Sequence, residues 1–281
     1  MITFNSQDIQ NRFKNLKLAV VGHVEWMTFV EVDKLPRAGN ITRSIRHQEE
    51  AAGGGAVTAI AMSNLINQEV HFFTALGKDY LGKESYSRLK ERNLKLHVAW
   101  RNEPTRKGIS FIDSQAERSI TVIGDRLQPN GNDELPWKTL EDFDGVFISA
   151  TDAKGMNYCR AAKKVLATPR VRIEELAKAN IELDALIRSA LDPDENLPIN
   201  KLQKKPKLII STKGADGGIS FPGGKYKSIN TGLPLVDSYG CGDSFAAGVT
   251  TGIAAGLETK EAIKLGAKCG AICSTHFGPY I

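Results

Sequence analysis

No two of the four cysteines, Cys159, Cys241, Cys269 and Cys273, form a CxxC pair, and together they fit no zinc framework. That spacing excludes a disulfide-stapled scaffold and predicts reduced thiols in a cytoplasmic protein. The five histidines, His23, His47, His71, His97 and His276, keep no metal-ligand spacing, so no metal held by protein ligands alone is expected. Long apolar runs are missing too. The most apolar stretch, Phe245 to Leu257, is interrupted by Gly248, Gly252 and Gly256 and is too short to span a bilayer. The polar opening MITFNSQDIQNRFKNLK lacks the apolar centre of a secretory peptide, so neither secretion nor a membrane partner is expected. There is no Gly-Lys-Ser or Gly-Lys-Thr, hence no Walker A loop. Thirty-seven Lys and Arg against 32 Asp and Glu leave a net charge of +5 with no basic block. That balance suits anionic small substrates better than a nucleic-acid partner.

What is present is a globular composition, 41% hydrophobic and 25% charged, which excludes a disordered tail and a membrane bundle. Continuous apolar runs at Leu18–Val21, Val146–Ile148 and Leu208–Ile210 predict strands buried on both faces of a parallel sheet. Helical patterns alternate with them over 56–66, 79–92, 156–166, 173–179, 243–257 and 260–274, which predicts an α/β protein. Two segments break the alternation. Residues 31–45 are polar and turn-rich, and 105–123 read as two short strands, Gly108–Ile112 and Ser119–Ile123, around a polar turn. The expected division is a core of residues 1–29, 46–104 and 124–281 and a small β-lid of 30–45 and 105–123. Residues 191–206 read as an exposed loop.

The most informative segment runs Asp237-Ser238-Tyr239-Gly240-Cys241-Gly242-Asp243-Ser244-Phe245-Ala246-Ala247-Gly248. Small residues at 240–242 permit a tight turn with converging amides, and a helical pattern follows at once. A loop of this kind binds anions through the helix dipole and the free first-turn amides. Asp243, at the same helix start, is placed to accept the proton of a hydroxyl that attacks a phosphate held there. The plainer alternative is that Asp243 only caps the helix.

This segment resembles the C-terminal signature of the ribokinase-like (PfkB) carbohydrate kinases, Asp-Thr-x-Gly-Ala-Gly-Asp: Asp237, Gly240, Gly242 and Asp243 match, Ser238 replaces Thr and Cys241 replaces Ala. The family's first glycine signature is matched by Gly53-Gly54-Gly55-Ala56. A Gly-x-Asp-x-x-Gly turn is similar to Gly77-Lys78-Asp79-Tyr80-Leu81-Gly82, which reads equally as plain helix entry, and Glu117-Arg118-Ser119-Ile120 resembles the family's lid strand. The resemblance covers about residue 18 to the C-terminus. It implies a three-layer α/β core with a mostly parallel sheet and a small β-lid, ATP as donor, Mg²⁺ on its phosphates, and a small-molecule hydroxyl acceptor. It also implies Asp243 as general base and Gly240, Cys241 and Gly242 as the anion hole. Thr212, Gly214 and Gly217 would be the nucleotide-side loop, which reads equally as a tight turn between strands. Gly53, Gly54, Thr58 and Glu25 would lie on the acceptor side. A monovalent cation beside the anion loop and a homodimer through the lid are compatible with it.

Departures cluster on the acceptor side. Met27 falls where family members carry an Asp, with Glu25 as the available substitute, and Val57 falls where they carry an Asn. Ser189 and Asp192 keep only the spacing of the family's Asn-x-x-Glu. Trp26 reads as packing, Cys241 as a small residue instead of a nucleophile, and Gly248, Gly252 and Gly256 as close packing of their helix against the sheet. Asp192, Asp194 and Asn196 have calcium-loop spacing, but Leu197 and Gln203 replace the required Gly and Glu. The reading that follows is an ATP-dependent kinase of a sugar or related molecule, with a nucleoside acceptor as its variant. The competing reading is a nucleotide- or metabolite-binding regulatory protein of the same fold with impaired transfer. A dinucleotide oxidoreductase fits poorly, because Thr58 stands at the third glycine position and polar residues 47–50 precede Gly53.

Overall fold

The structure is a computed structural model that describes residues 11–196 and 198–280. The polar first ten residues and Leu197 lie outside the described residues. Strand β1 (Leu18–Val21) shows how the molecule is layered. All four residues are buried, but Leu18 and Val20 belong to one hydrophobic cluster while Ala19 and Val21 belong to another. Successive side chains of a strand point to opposite faces, so the sheet is covered on both sides, and this is why the run is continuously apolar. Phe72 and Phe73 in β4 (Val70–Gly77) split the same way.

Among the described residues the main sheet has nine strands. Beyond β1 and β4 these are β5 (Leu94–Arg101), β8 (Gly145–Ile148), β9 (Lys164–Ala167), β10 (Ala185–Ser189), β11 (Ile209–Thr212), β12 (Gly218–Phe221) and β13 (Gly224–Tyr226). Their order is β13-β12-β11-β10-β9-β8-β1-β4-β5, parallel throughout except for the antiparallel edge of β12 and β13. One face carries α1 (Gly54–Ile66), α5 (Cys241–Ala254) and α6 (Thr259–Cys273), and the other carries α3 (Ala153–Cys159) and α4 (Ile173–Ala179). The glycine spacing serves a helix contact instead of packing on the sheet: Cβ atoms at Gly248 and Gly252 would stand 2.7 Å from Gly266 Cα and 2.9 Å from Ala262 Cα, so α5 and α6 touch there, whereas Gly256, past the end of α5 with φ +73°, meets nothing.

A second sheet has the order β3-β2-β6-β7, from β2 (Glu25–Glu31), β3 (Arg46–Ala52), β6 (Lys107–Ile112) and β7 (Arg118–Ile123). It takes in residues 25–31 and 46–52, most of which the sequence division left with the core, while the intervening 32–45 is loop. Strand β3, RHQEEAA, is too polar to read as a strand because five of its seven residues face water or lie half-covered. It pairs in the small sheet, so no βαβ unit precedes Gly53. The small sheet is seated on the body by a third cluster that joins Met27, Phe29, Ala52 and Ile112 to Val57 of α1 and Tyr239.

One helix differs from expectation. The pattern over 156–166 predicts continuous helix, but α3 stops at Cys159 and Lys164–Ala167 forms β9, where Val165, Leu166 and Ala167 are buried between layers. Parallel pairing with β8 and β10 outweighs the local helical preference. At the Gly77–Gly82 turn, Asp79 caps α2 (Tyr80–Lys90): its carboxylate accepts from Gly82 N (2.8 Å), Thr105 N (2.8 Å) and Thr105 Oγ1 (2.7 Å). The turn therefore ties α2 to the connection that leads from β5 into β6 of the small sheet.

Candidate active site

The loop before α5 is held from inside. Asp237 is fully buried, and its two oxygens accept from the amides of Tyr239 (2.8 Å) and Gly278 (3.1 Å). The Tyr239 hydroxyl in turn accepts from Gly53 N (3.1 Å), which links the two glycine segments directly. Gly240 has φ +77°, and a Cβ there would press on Val57 at 3.0 Å, so this position is reserved for glycine. In front of Gly242 a Cβ would meet nothing within 4 Å, so the first turn of α5 opens on free space. The Cys241 amide leans on the Ser238 carbonyl at 3.4 Å, whereas those of Gly242 and Asp243 have no acceptor among the described residues. The hydrogen bond with Cys273, and then desolvation, push the half-buried Cys241 thiol well up, so this residue is a space-filler and not a thiolate.

Asp243 is the third residue of α5, and the N-cap is Gly240. The Asp243 carboxylate makes no hydrogen bond among the described residues, so it caps nothing. It lies against the other glycine segment: a Cβ at Gly54 would stand 2.9 Å from Asp243 Oδ1 and 3.5 Å from His23 Cε1. Burial raises the Asp243 pKa to about 6, against the attraction of Arg170 and Arg118. Arg118, from the Glu-Arg-Ser-Ile segment of β7, donates to the Ser238 carbonyl at 3.1 Å and so ties the small sheet to the anion loop.

Gly53, with φ +89°, brings Glu25 and His23 to the same point, since a Cβ there would lie 3.1 Å from Glu25 N and 3.3 Å from His23 Cδ2. Glu25 is buried, which raises its pKa, while Arg106 at 3.1 Å pulls it down. Spacing gives His23 no metal role, like the other histidines, yet it stands in this cluster. Burial and then the charges of Arg126, Arg106 and Arg170 push its pKa well down, so the ring is neutral, and its buried Nδ1 has no partner. The one signal for it in the sequence is its place at the end of β1, because ligands of parallel α/β sheets gather at the carboxyl ends of the strands.

The structure thus assembles Asp243, Gly53, Gly54, Glu25 and the 240–242 loop. It does not bring Thr58 to the open side: Thr58 is fully buried and its hydroxyl donates to the Gly54 carbonyl (2.7 Å), stiffening the turn from behind. Met27 is likewise fully buried, in the cluster under the small sheet, and Trp26 packs in the core beneath the Arg88 guanidinium. Thr212, Gly214 and Gly217 lie at the carboxyl end of β11, on the same sheet edge. There Lys213 N bonds Gly217 O (2.7 Å) in the tight turn to β12. Glu195 is buried although it falls in the expected exposed loop. Its Oε2 accepts from Ser189 N (2.7 Å) and its Oε1 from Arg170 Nε (2.8 Å), so an acid does stand at the end of β10, six residues past Ser189. Asp192 caps the adjacent turn and also bonds Arg170.

A three-layer α/β body with a small accessory sheet, an open helix N-terminus at the carboxyl edge of a parallel sheet and an unbonded carboxylate beside it together define a phosphate-handling enzyme. The pfkB family carbohydrate kinase model matches residues 15–281, and the chain belongs to that family. It is accordingly an ATP-dependent phosphotransferase with an alcohol group as acceptor. A ribokinase of Lactococcus lactis is 24% identical, covering 93% of this chain and 92% of its own length. An ATP-dependent ribose-1-phosphate kinase of Halopiger xanaduensis is 24% identical over 94% of this chain and 93% of its own. Arabidopsis thaliana ribokinase, solved with ribose and ATP, superposes with a TM-score of 0.70 at 18% identity, covering 94% of each chain. Among the described residues no helix is long and apolar enough to cross a membrane.

Proposed function

We propose that Asp243 is the general base of this kinase, and the observation that carries the reading is its unbonded carboxylate at the open N-terminus of α5. The acceptor oxygen attacks the γ-phosphorus of ATP, its proton passes to Asp243, and the bond from the γ-phosphorus to the bridging oxygen breaks to release ADP. The amides of Gly242 and Asp243, with Cys241 at the loop made by Gly240, hold the transferring group. The turn at Thr212, Gly214 and Gly217 receives the nucleotide, and Gly53, Gly54 and Glu25 shape the acceptor side. A carboxyl with a pKa near 6 is ionised at neutral pH and still basic enough to accept a proton.

Among the described residues no three His, Cys, Asp or Glu side chains are grouped to cage a metal ion. Asp192 and Glu195, the acids at the end of β10, would face Mg²⁺ brought in on the nucleotide. When bound, Mg²⁺ neutralises phosphate charge. The small sheet acts as the lid that excludes water. Its outer strand β7 leaves Ile120, Val122 and Ile123 exposed, which supports pairing of two copies through the lid. Four free thiols, three of them buried, support a cytoplasmic location.

The relatives' names span a free pentose and a phosphorylated one, so the acceptor's charge must come from the pocket itself. Burial of Met27 and Thr58, which removes two acceptor-side positions, favours the second reading, a regulatory binding protein. ADP release is to be measured with sugars, nucleosides and sugar phosphates, with and without Mg²⁺ and potassium salts. Transfer to one of them upholds the kinase mechanism. Nucleotide binding without ADP release for any of them upholds the regulatory reading.

A further inference from the structure

A cleft of about 480 Å³, in the size range of small-molecule pockets, is lined by Arg106, Arg126, Arg170 and Arg172, and Arg106 joins it to Glu25 of the candidate site. Two of these guanidinium groups are matched. Arg106 Nη1 is 3.1 Å from Glu25 Oε1, and Arg170 bonds Glu195 and Asp192. The other two are not. Arg126 spends its donors on neutral oxygens, the Arg170 carbonyl (2.9 Å) and the Gln128 side chain (3.3 Å). The Arg172 side chain makes no hydrogen bond or ion pair with the described residues. Asp125, Glu174 and Asp194 also line the cleft, but among the described residues none is within ion-pair reach of a guanidinium.

Burial, and then repulsion from Arg172 and Arg106, pushes the Arg126 pKa down to about 10, with only partial relief from Glu25. Arg106 Nε is buried without a partner. Like charges gathered in a half-closed cleft are unfavourable unless an anion joins them, and guanidinium forks match phosphate oxygens two at a time.

The ATP phosphates are the competing occupant, and the placement of the four groups separates the two. Arg170 is tied to Asp192 and Glu195 at the end of β10, on the nucleotide side. Arg106 precedes β6 and Arg126 follows β7, so both stand where the lid joins the body, and Arg106 is paired with Glu25 on the acceptor side. We infer that the acceptor is a phosphate monoester whose phosphate sits among Arg126, Arg172 and Arg106 while its free hydroxyl faces Asp243. The inference rests on the kinase reading, and it makes the second substrate of the reaction an already phosphorylated small molecule.

The test uses the full chain with ATP and Mg²⁺ and compares neutral sugars and nucleosides, sugar acids, and sugar monophosphates. A sugar phosphate should exceed its dephosphorylated parent by at least about 100-fold in kcat/KM. Losing one or more charge-assisted bonds should raise KM for that acceptor by about 10- to 100-fold in Arg126→Gln, with KM for ATP unchanged. Arg172→Gln, at an exposed side chain where folding is not at risk, should act in the same direction. Preference for neutral sugars or sugar acids overturns the inference, as does a rise in KM for ATP in place of the acceptor. If no compound is phosphorylated, calorimetric binding of sugar monophosphates that Arg126→Gln abolishes upholds the anion site while the transfer mechanism fails. No binding of any monophosphate overturns the site itself.

Discussion

Replacing Asp243 with Asn separates a base from a cap, because the two roles predict opposite changes in stability. Raising a carboxyl from 3.8 to about 6 costs the folded protein up to about 3 kcal/mol at neutral pH. The sign follows from proton binding. The folded state holds the proton more tightly, so below about pH 4 both states are protonated and there is no cost. The cost grows as pH rises through about 4 to 6 and is complete above that. Asp243→Asn keeps the shape and carries no charge, so it should be more stable than wild type at about pH 7, by up to about 3 kcal/mol, and equal to it near pH 4. Its kcat should fall by about 100-fold or more, and the acid limb of the wild-type profile, with its midpoint near pH 6, should vanish. Urea unfolding at both pH values and initial rates of ADP release read the two effects. A cap would behave otherwise: its loss destabilises by about 0.5 to 2 kcal/mol and leaves turnover largely intact. An Asp243→Asn variant that is both less stable than wild type and fully active would refute the reasoning.

Three further outcomes follow from the geometry. Gly54→Ala sets a methyl 2.9 Å from Asp243 Oδ1, and the displaced carboxylate should lower kcat by at least about 10-fold, with nucleotide binding measured by calorimetry unchanged. Asp79→Ala removes three hydrogen bonds at the start of α2 and should cost about 2 kcal/mol in denaturant unfolding at about pH 7. Burial alone would raise the Asp79 pKa, but the bonds from Thr105 and Gly82 hold it below the ordinary value. Its contribution is therefore present above about pH 4 and lost as pH falls through the folded value, so the wild-type advantage over Asp79→Ala should disappear in acid. Val122→Lys on the exposed edge of β7 should convert a dimer into monomers in sedimentation without changing the melting temperature of the body, and an unaltered sedimentation coefficient would remove the lid as the contact.

What could be read along the chain was whatever local chemistry decides. Leu18–Val21 and Val146–Ile148 are legible as strands because burial on both faces leaves no polar position. The 240–243 loop is legible because a positive φ and open first-turn amides demand small residues in consecutive places. Strand β3 was not legible, since its polar residues face outward and its partner β2 is supplied by another segment. The same holds for β9, whose four residues are strand only because β8 and β10 flank them. Thr58 and Met27 show the converse: a motif position can sit beside a site in sequence and still point into the core.

Sequence alone therefore determined the loop, the carboxylate at its end and the family to which they belong, because backbone conformation and helix dipole act within a few residues. The tertiary structure decided the rest. The raised pKa of Asp243, the neutral His23 wedged against Gly53, the Glu195 that closes the end of β10 and the four arginines around one cleft all arise between segments far apart in the chain. Desolvation and electric fields depend on distance through space, and only folding sets that distance.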